Sequence, residues 1–191
     1  MDISIFPEKL HGSVCAIPSK SHAHRLMVCA ALADQPTHIV IPTICDDLSA
    51  TISCITGFGG EIEHCYGQAE IITPIRNVPA SAVANCGESG STLRFFLPLA
   101  GALGVDTTFL LEGRLPYRPL SPLWEEMGRS GCCLSWLNRA QLQAAGMQPS
   151  RAVTAGLRLS GALRPGHYRI DGGVSSQFIS GLLMALPLLD G

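Results

Sequence analysis

The chain has 191 residues, enough for one large domain or two small ones. Hydrophobic residues make up 47% and charged residues 15%, a balance that excludes intrinsic disorder. The formal net charge of -2 excludes the broadly basic surface that nucleic acids and acidic membranes select, so we expect neither partner. The longest apolar run, residues 178–189, is too short to span a bilayer, and the N-terminus lacks a signal peptide's basic start. We therefore expect a cytoplasmic protein.

The first part of the chain, up to residue 75, has the hydrophobic periodicity of two helices among several short strands. The helices are predicted at residues 22–32 and 48–58. The strands are predicted as two within residues 1–17, and as single strands at 37–41, 61–64 and 69–75, the last two joined by a turn at 66–67.

The second part repeats this alternation of apolar helices and strands. Its helices are predicted at residues 92–103, 122–131 and 177–189. Its strands are predicted at 107–112, near 132–137 and at 156–159.

A small polar turn precedes an apolar helix three times, near residues 20, 90 and 175. The comparable spacing of these turns predicts an internal repeat of about two helices and several strands. Each helix N-terminus has unpaired N–H groups and partial positive charge, and Ser and Gly let an anion approach closely. An ordinary serine cap is the alternative for any single turn.

Cationic side chains lie near these turns although the chain is net acidic. They are Lys20, Arg25 and Arg94, with Arg114 and Arg118 in a proline-stiffened loop. Arginine binds phosphate and carboxylate through two parallel hydrogen bonds, so this set predicts a site for an acidic ligand. Solvated surface charges are the alternative.

Other kinds of site find no support in the sequence. No P-loop and no Ser–His–Asp order is present. His22 and His24 face different sides of a predicted helix and make a poor metal pair. The eight cysteines include no Cys-x-x-Cys, so we expect no metal site and mostly buried, reduced thiols.

Four segments together resemble the motifs of one family, the enolpyruvylshikimate-phosphate synthases, in the family's order. They are residues 18–25 (PSKSHAHR), 86–95 (CGESGSTLRF), 113–119 (GRLPYRP) and 173–178 (GVSSQF). The resemblance implies an α/β (α+β) fold of repeated βαβαββ units, with helix N-termini facing a substrate cleft. It also implies the activity of a 3-phosphoshikimate 1-carboxyvinyltransferase in chorismate and aromatic amino acid biosynthesis. This enzyme transfers the enolpyruvyl group of phosphoenolpyruvate to the 5-hydroxyl of shikimate 3-phosphate and releases phosphate.

The resemblance also implies roles for individual residues, with no metal or organic cofactor and usually a monomer. Lys20 is the implied catalytic residue and contacts both substrates, and Gln177 reaches both. The residues implied to bind shikimate 3-phosphate are Ser21, Arg25, Ser175 and Ser176. Phosphoenolpyruvate is assigned to Gly90 and Arg118, with supporting roles for Ser91 and Arg94.

The chain departs from the family in length, since family members are much longer. The resemblance implies that residues 1–17 are strands that pack with a second domain. Residues 18–191 then form an N-terminal domain whose third repeat is incomplete. The second domain, with its proton-transferring groups, is expected to be absent, so we expect the chain to be inactive alone.

Two alternatives stay open at this point. One is the enolpyruvyl transferase that acts on UDP-N-acetylglucosamine. Its motif has asparagine after the lysine, where this chain has Ser21. The other is a non-catalytic anion-binding module.

Overall fold

The computed structural model describes residues 3–4, 6–9, 11–14, 16–65 and 69–190. The α-helices of this part are α1 (Lys20–Ala31), α2 (Asp46–Gly57), α3 (Gly90–Leu103), α4 (Leu123–Arg129), α5 (Arg139–Ala144) and α6 (Ser176–Ala185). The strands are β1 (Thr37–Val40), β2 (Glu61–Cys65), β3 (Ala69–Thr73), β4 (Ser81–Asn85), β5 (Asp106–Glu112), β6 (Cys132–Leu137) and β7 (Val153–Gly161). Single 3-10 turns lie at Leu115–Tyr117 and Leu186–Leu188.

The strands form two sheets with related connections. The first has the order β1-β3-β2 and is antiparallel throughout. The second has the order β4-β5-β7-β6, in which only β4 and β5 are parallel. In both sheets, three successive strands therefore pair in the order first, third, second.

The hydrophobic core is centred on α3, which is buried on almost every side. Its Phe95, Phe96 and Leu97 are at most 1% exposed, and the Phe96 ring lies 5.4 Å from that of Phe58, the residue that follows α2. An almost wholly apolar sequence is what a helix buried all round requires. Helix α6 crosses α3 closely, because a Cβ on Gly181 would lie 2.3 Å from the carbonyl oxygen of Arg94.

The predicted helices are all confirmed, and each begins within two residues of its predicted start. Helix α6 ends four residues before its predicted end, where the 3-10 turn Leu186–Leu188 follows it. The predicted strands beyond residue 36 are confirmed as β1, β2, β3, β5, β6 and β7. Strand β4 and helix α5 were not predicted. Strand β4 is short and rich in small residues, and α5 is one turn and a half long, held by a capping box between Asn138 and Gln141.

The prediction of two strands within residues 1–17 is wrong for the described residues of this segment, which form none. Ile3 and Phe6 are each 81% exposed and Val14 is 94% exposed. An alternating pattern forms a strand only where a partner strand and an apolar surface receive it. Packing with a second domain stays a prediction, and the predicted turn at residues 66–67 lies outside the described residues.

Three further findings concern the described residues. None of their helices combines the length and apolar character needed to cross a membrane. No cluster of their His, Cys, Asp and Glu side chains is arranged to hold a metal ion. The cysteines at positions 29, 45, 54, 86, 132 and 133 are free thiols.

Candidate anion-binding site

Three helices begin with a serine cap, each in one of the turns singled out in the sequence. Ser19 accepts a hydrogen bond from the N–H of His22 at 3.4 Å, and Ser89 accepts one from Thr92 at 3.3 Å. Ser175 accepts one from Gln177 at 3.2 Å. Each cap satisfies one of the unpaired N–H groups of the first turn, so the other N–H groups remain for water or an anion.

Lys20 is the first residue of α1, and its ammonium group pairs with the carboxylate of Asp47 in the first turn of α2. This hydrogen bond is the main reason that the pKa of Lys20 is raised above its ordinary value. The ammonium group is therefore charged at neutral pH, and its side chain is 52% exposed. Sequence reasoning missed this pairing, because the two residues lie 27 positions apart.

Arg25 is held between three helices. Its Nη1 donates to the carbonyl oxygen of Ser21 at 2.7 Å, and its Nη2 donates to Ser180 Oγ of α6 at 3.0 Å. Its guanidinium group lies 5.2 Å from the ring centroid of Phe95 in α3, within cation–π range. The start of α1 is thus fixed against α3 and α6.

A second set of side chains joins the starts of α3 and α6. Arg94 Nη1 donates to Gln177 Oε1 at 2.6 Å, and Gln177 Nε2 donates to Ser91 Oγ at 2.7 Å. Arg94 Nη2 donates to the carbonyl oxygen of Pro119 at 3.1 Å. Gln177 is therefore held in one orientation, with both ends of its amide bonded to α3.

Two arginines flank the start of α3. A Cβ on Gly90 would lie 3.0 Å from Nη1 of Arg118 and 3.5 Å from Nη1 of Arg94. Neither arginine forms a salt bridge with an acidic residue in the described part of the chain. Burial, and after it the charge of Arg118, lowers the pKa of Arg94. Two like charges beside a positive helix end form a local excess of positive charge, which an external anion would relieve.

A cavity of about 810 Å³ lies beside this cluster rather than on it. Of the predicted site residues only Lys20 lines it, and most of its charged lining is acidic: Asp46, Asp47, Glu88 and Glu112. These carboxylates repel an anion. The surface suited to an acidic ligand is therefore defined by the helix N-termini and the arginines. Lys20 lies at the boundary between this surface and the acidic cavity.

The remaining predicted residues lie at the same helix starts. Ser175 caps α6, and Ser176 is its exposed first residue. Ser21 is exposed in the first turn of α1, and Arg118 is exposed in the loop after the 3-10 turn Leu115–Tyr117. The structure thus gathers the predicted residues at the N-termini of α1, α3 and α6. It adds Asp47 and Ser180, which no sequence pattern had marked.

Comparisons with known proteins show which family the chain resembles. A protein-family model described as EPSP synthase (3-phosphoshikimate 1-carboxyvinyltransferase) matches residues 6–191. A 3-phosphoshikimate 1-carboxyvinyltransferase of Clostridium beijerinckii is 34% identical over 197 residues, covering 100% of this chain and 42% of the relative. The enzyme of that name from Clostridium kluyveri is 36% identical over 189 residues, covering 99% of this chain and 41% of the relative.

Solved structures agree on the fold. An EPSP synthase structure from Acinetobacter baumannii aligns with a TM-score of 0.72 at 21% identity, over 94% of this chain and 39% of that one. The enolpyruvyl transferase NikO from Streptomyces tendae aligns with a TM-score of 0.51 at 18% identity, over 92% of this chain and 38% of that one.

The chain spans 42% and 41% of the length of the two clostridial relatives. The family match covers residues 6–191, and the structural match covers 94% of the chain. On these findings, this mixed α/β chain belongs to the EPSP synthase family.

Proposed function

We propose that this chain supplies substrate-binding residues of a 3-phosphoshikimate 1-carboxyvinyltransferase. In that reaction the 5-hydroxyl oxygen of shikimate 3-phosphate forms a bond to carbon 2 of phosphoenolpyruvate. The bond from carbon 2 to the phosphate oxygen breaks, and the hydroxyl proton leaves with the phosphate. The observation that carries the proposal is the pair Arg94 and Arg118 at the start of α3, since neither has an acidic partner among the described residues.

Phosphoenolpyruvate carries a phosphate and a carboxylate, and the start of α3 suits both groups. Gly90 leaves the backbone accessible, and the nearby guanidinium group of Arg118 offers a bidentate contact. Lys20, charged and half exposed, is the proposed catalytic contact between the two substrates.

Shikimate 3-phosphate is proposed to lie across the starts of α1 and α6. The groups that support this are the hydroxyls of Ser21, Ser175 and Ser176, together with Arg25 and Gln177. Arg25 already joins the two helices through Ser180, so a phosphate there would meet donors fixed before it binds.

Finer features of the fold belong to the same proposal. The order helix, strand, helix, strand, strand occurs from α1 to β3, and again from α3 to β7 with α5 inserted. This order supports repeated units, and the contacts among α1, α3 and α6 support N-termini that face one cleft. We further propose that turnover requires groups from the part of the relatives that this chain does not span.

Ligand titration of the 191-residue chain, followed by amide NMR shifts, tests the proposal. Phosphoenolpyruvate is expected to shift amides at the starts of α1 and α3, and shikimate 3-phosphate those of α1 and α6. Arg118→Gln should weaken phosphoenolpyruvate binding about tenfold through the loss of a charge-assisted contact. Arg151→Gln, which removes an exposed arginine elsewhere, should leave it unchanged.

The outcomes separate the candidate functions. Binding of UDP-N-acetylglucosamine without binding of shikimate 3-phosphate would favour the sister transferase. Shifts that are equal for inorganic phosphate and for both substrates would favour an anion-binding module. No shifts at any of the three helix starts would overturn the site itself.

A further inference from the structure

A hydrogen-bonded network of buried polar side chains lies next to the site and joins three helices. His24 Nδ1 of α1 lies 2.7 Å from Thr51 Oγ1 of α2, which lies 2.8 Å from Thr92 Oγ1 of α3. Thr92 Oγ1 in turn donates to Ser89 Oγ, the cap of α3, at 2.7 Å. His24, Thr51 and Thr92 are 0% exposed and Ser89 is 1% exposed.

In this network each side chain donates to the next, from His24 to Ser89. His24 Nε2 is buried and has no hydrogen-bond partner among the described residues. A neutral ring with its proton on Nδ1 donates to Thr51 and leaves only an acceptor unpaired, whereas a charged ring would bury a second N–H without a partner. Thr51 then donates to Thr92, and Thr92 donates to Ser89.

Thr92 is the member that contacts both sides of the site. Its Oγ1 also lies 3.3 Å from the backbone oxygen of Asp47, whose carboxylate pairs with Lys20. Through Ser89, it contacts the cap that immediately precedes Gly90. The one hydroxyl proton of Thr92 is therefore shared between Ser89, which caps α3, and, at the longer distance, the backbone oxygen of Asp47, whose side chain pairs with Lys20.

We propose that Thr92, braced by Thr51 and His24, is a positioning residue that fixes the distance between Lys20 and the N-terminus of α3. The inference rests on the proposed function, because it assumes that both groups bind one ligand. Hydrogen bonds among buried polar side chains favour one arrangement of the elements that they join. Loss of the central hydroxyl would remove the side-chain hydrogen bonds that join α2 to the start of α3, and Ser89 would keep only its bond from the N–H of Thr92. The two helix starts would then be free to shift relative to one another.

The test compares Thr92→Val with two other variants of the 191-residue chain. Thr92→Val keeps the shape of the side chain and loses the hydroxyl, and Thr92→Ser restores the hydroxyl. Thr107→Val is the matched control, since Thr107 is also 0% exposed but bonds only to Val105 of its own segment. The probes are phosphoenolpyruvate affinity and the pKa of Lys20, both followed by NMR.

We expect Thr92→Val to weaken phosphoenolpyruvate binding about fivefold to tenfold, and Thr92→Ser to restore it to within about twofold. Thr92→Val should also lower the pKa of Lys20, because Asp47 is no longer held in place. Thr107→Val should change neither. Parent-like affinity and parent-like Lys20 pKa in a folded Thr92→Val would overturn the proposal.

A second variant and a second measurement keep the possible outcomes distinct. If Thr92→Val does not fold, Thr51→Val removes the hydrogen bond between Thr51 and Thr92 of the same network. Unchanged phosphoenolpyruvate affinity and an unchanged Lys20 pKa in that variant would overturn the proposal. If the parent does not bind phosphoenolpyruvate, the proposed function fails, while the pKa of Lys20 still decides whether Thr92 positions Asp47. A loss that Thr107→Val shares equally would indicate a general effect of removing a buried hydroxyl.

Discussion

Helices α2 and α3 begin close together and satisfy their positive ends in opposite ways. Cys45 provides α2 with no side-chain cap, but the first turn contains Asp46 and Asp47. Ser89 caps α3, whose first turn contains no acidic residue and is flanked by Arg94 and Arg118. The start of α2 is thus neutralised by its own sequence, whereas that of α3 accumulates positive charge.

The contrast separates a helix start that serves the fold from one that suits a ligand. Carboxylates in a first turn stabilise a helix through its dipole, and arginines in the same position do not. Helix α3 lacks this stabilisation and is held instead by burial in the core. The two helix starts are also joined directly, through Thr51 and Thr92 at 2.8 Å. The following experiments alter one start at a time, or the connection between them.

The largest effect is expected from protonation of His24, which braces this connection. The pKa of His24 is lowered from 6.5 to about 4, mainly by burial. Asp47 opposes this lowering, and the charges of Lys20 and Arg25 contribute to it. Between these two pH values the unfolded chain binds more protons than the folded one. The contribution of His24 to the free energy of unfolding is therefore fully present above pH 6.5 and is lost as the pH falls towards 4. The loss amounts to about 3 kcal/mol at most.

Urea unfolding of the parent and of His24→Gln, at neutral pH and near pH 4.5, measures this effect. The stability advantage of the parent should shrink in acid, because glutamine does not titrate. Thr107→Val, which alters another buried side chain that does not titrate, is the control and should keep a constant difference from the parent. Equal acid losses in the parent and in His24→Gln would contradict the expectation.

The next effect concerns the charge of α3. Ser91→Asp gives α3 the acidic first turn of α2 and retains an acceptor for Gln177 Nε2. We expect phosphoenolpyruvate affinity to fall by about tenfold or more, since the new carboxylate competes for the arginines. The helix itself should gain about 0.3–1 kcal/mol.

Isothermal titration of Ser91→Asp beside Ser91→Asn measures that effect. Asparagine has nearly the same shape without the charge, so its affinity should stay close to that of the parent. If the two variants bind equally weakly, shape rather than charge governs the start of α3.

A smaller effect is expected at Gly90. An alanine methyl would meet the ends of the Arg118 and Arg94 side chains at 3.0 and 3.5 Å, and both ends are flexible. Gly90 is not among the glycines with positive φ, so a helix accepts alanine there. We expect stability to stay within about 1 kcal/mol of the parent. Phosphoenolpyruvate affinity should fall about threefold to fivefold as Arg118 moves.

Thermal unfolding and ligand titration together test Gly90→Ala. Gly128→Ala in α4 is the control, because a Cβ there meets nothing within 4 Å. A large loss of stability with unchanged affinity would mean that Gly90 serves only the backbone.

The smallest effect is expected at the start of α2. Asp47→Asn should cost about 0.3–1 kcal/mol through the helix dipole. It should also lower the pKa of Lys20, whose main cause of elevation is the bond to Asp47. Asp46→Asn should match the stability loss and leave the pKa of Lys20 unchanged. If both variants lower that pKa equally, the pairing of Lys20 with Asp47 is not specific.

The sequence located the helices well, because their signals are local. Period 3.6 in the apolar residues, serine before each site helix and Gly104 after α3 are read within a few positions. It missed β4, whose small residues carry little pattern and whose pairing with β5 comes from the fold. It erred over residues 1–17, where alternation alone does not make a strand.

The candidate site shows the same distinction between local features, which the sequence predicts, and contacts between distant residues, which it does not. The sequence by itself determined which helix starts are capped by serine and which cations lie near them along the chain. Only the tertiary structure decided that Lys20 pairs with Asp47, that Arg25 bonds to Ser180 and that Arg94 holds Gln177. A cap forms between neighbours in sequence. These other contacts join residues 27, 155 and 83 positions apart, and they exist only because the core packs α1, α2, α3 and α6 with their N-termini together.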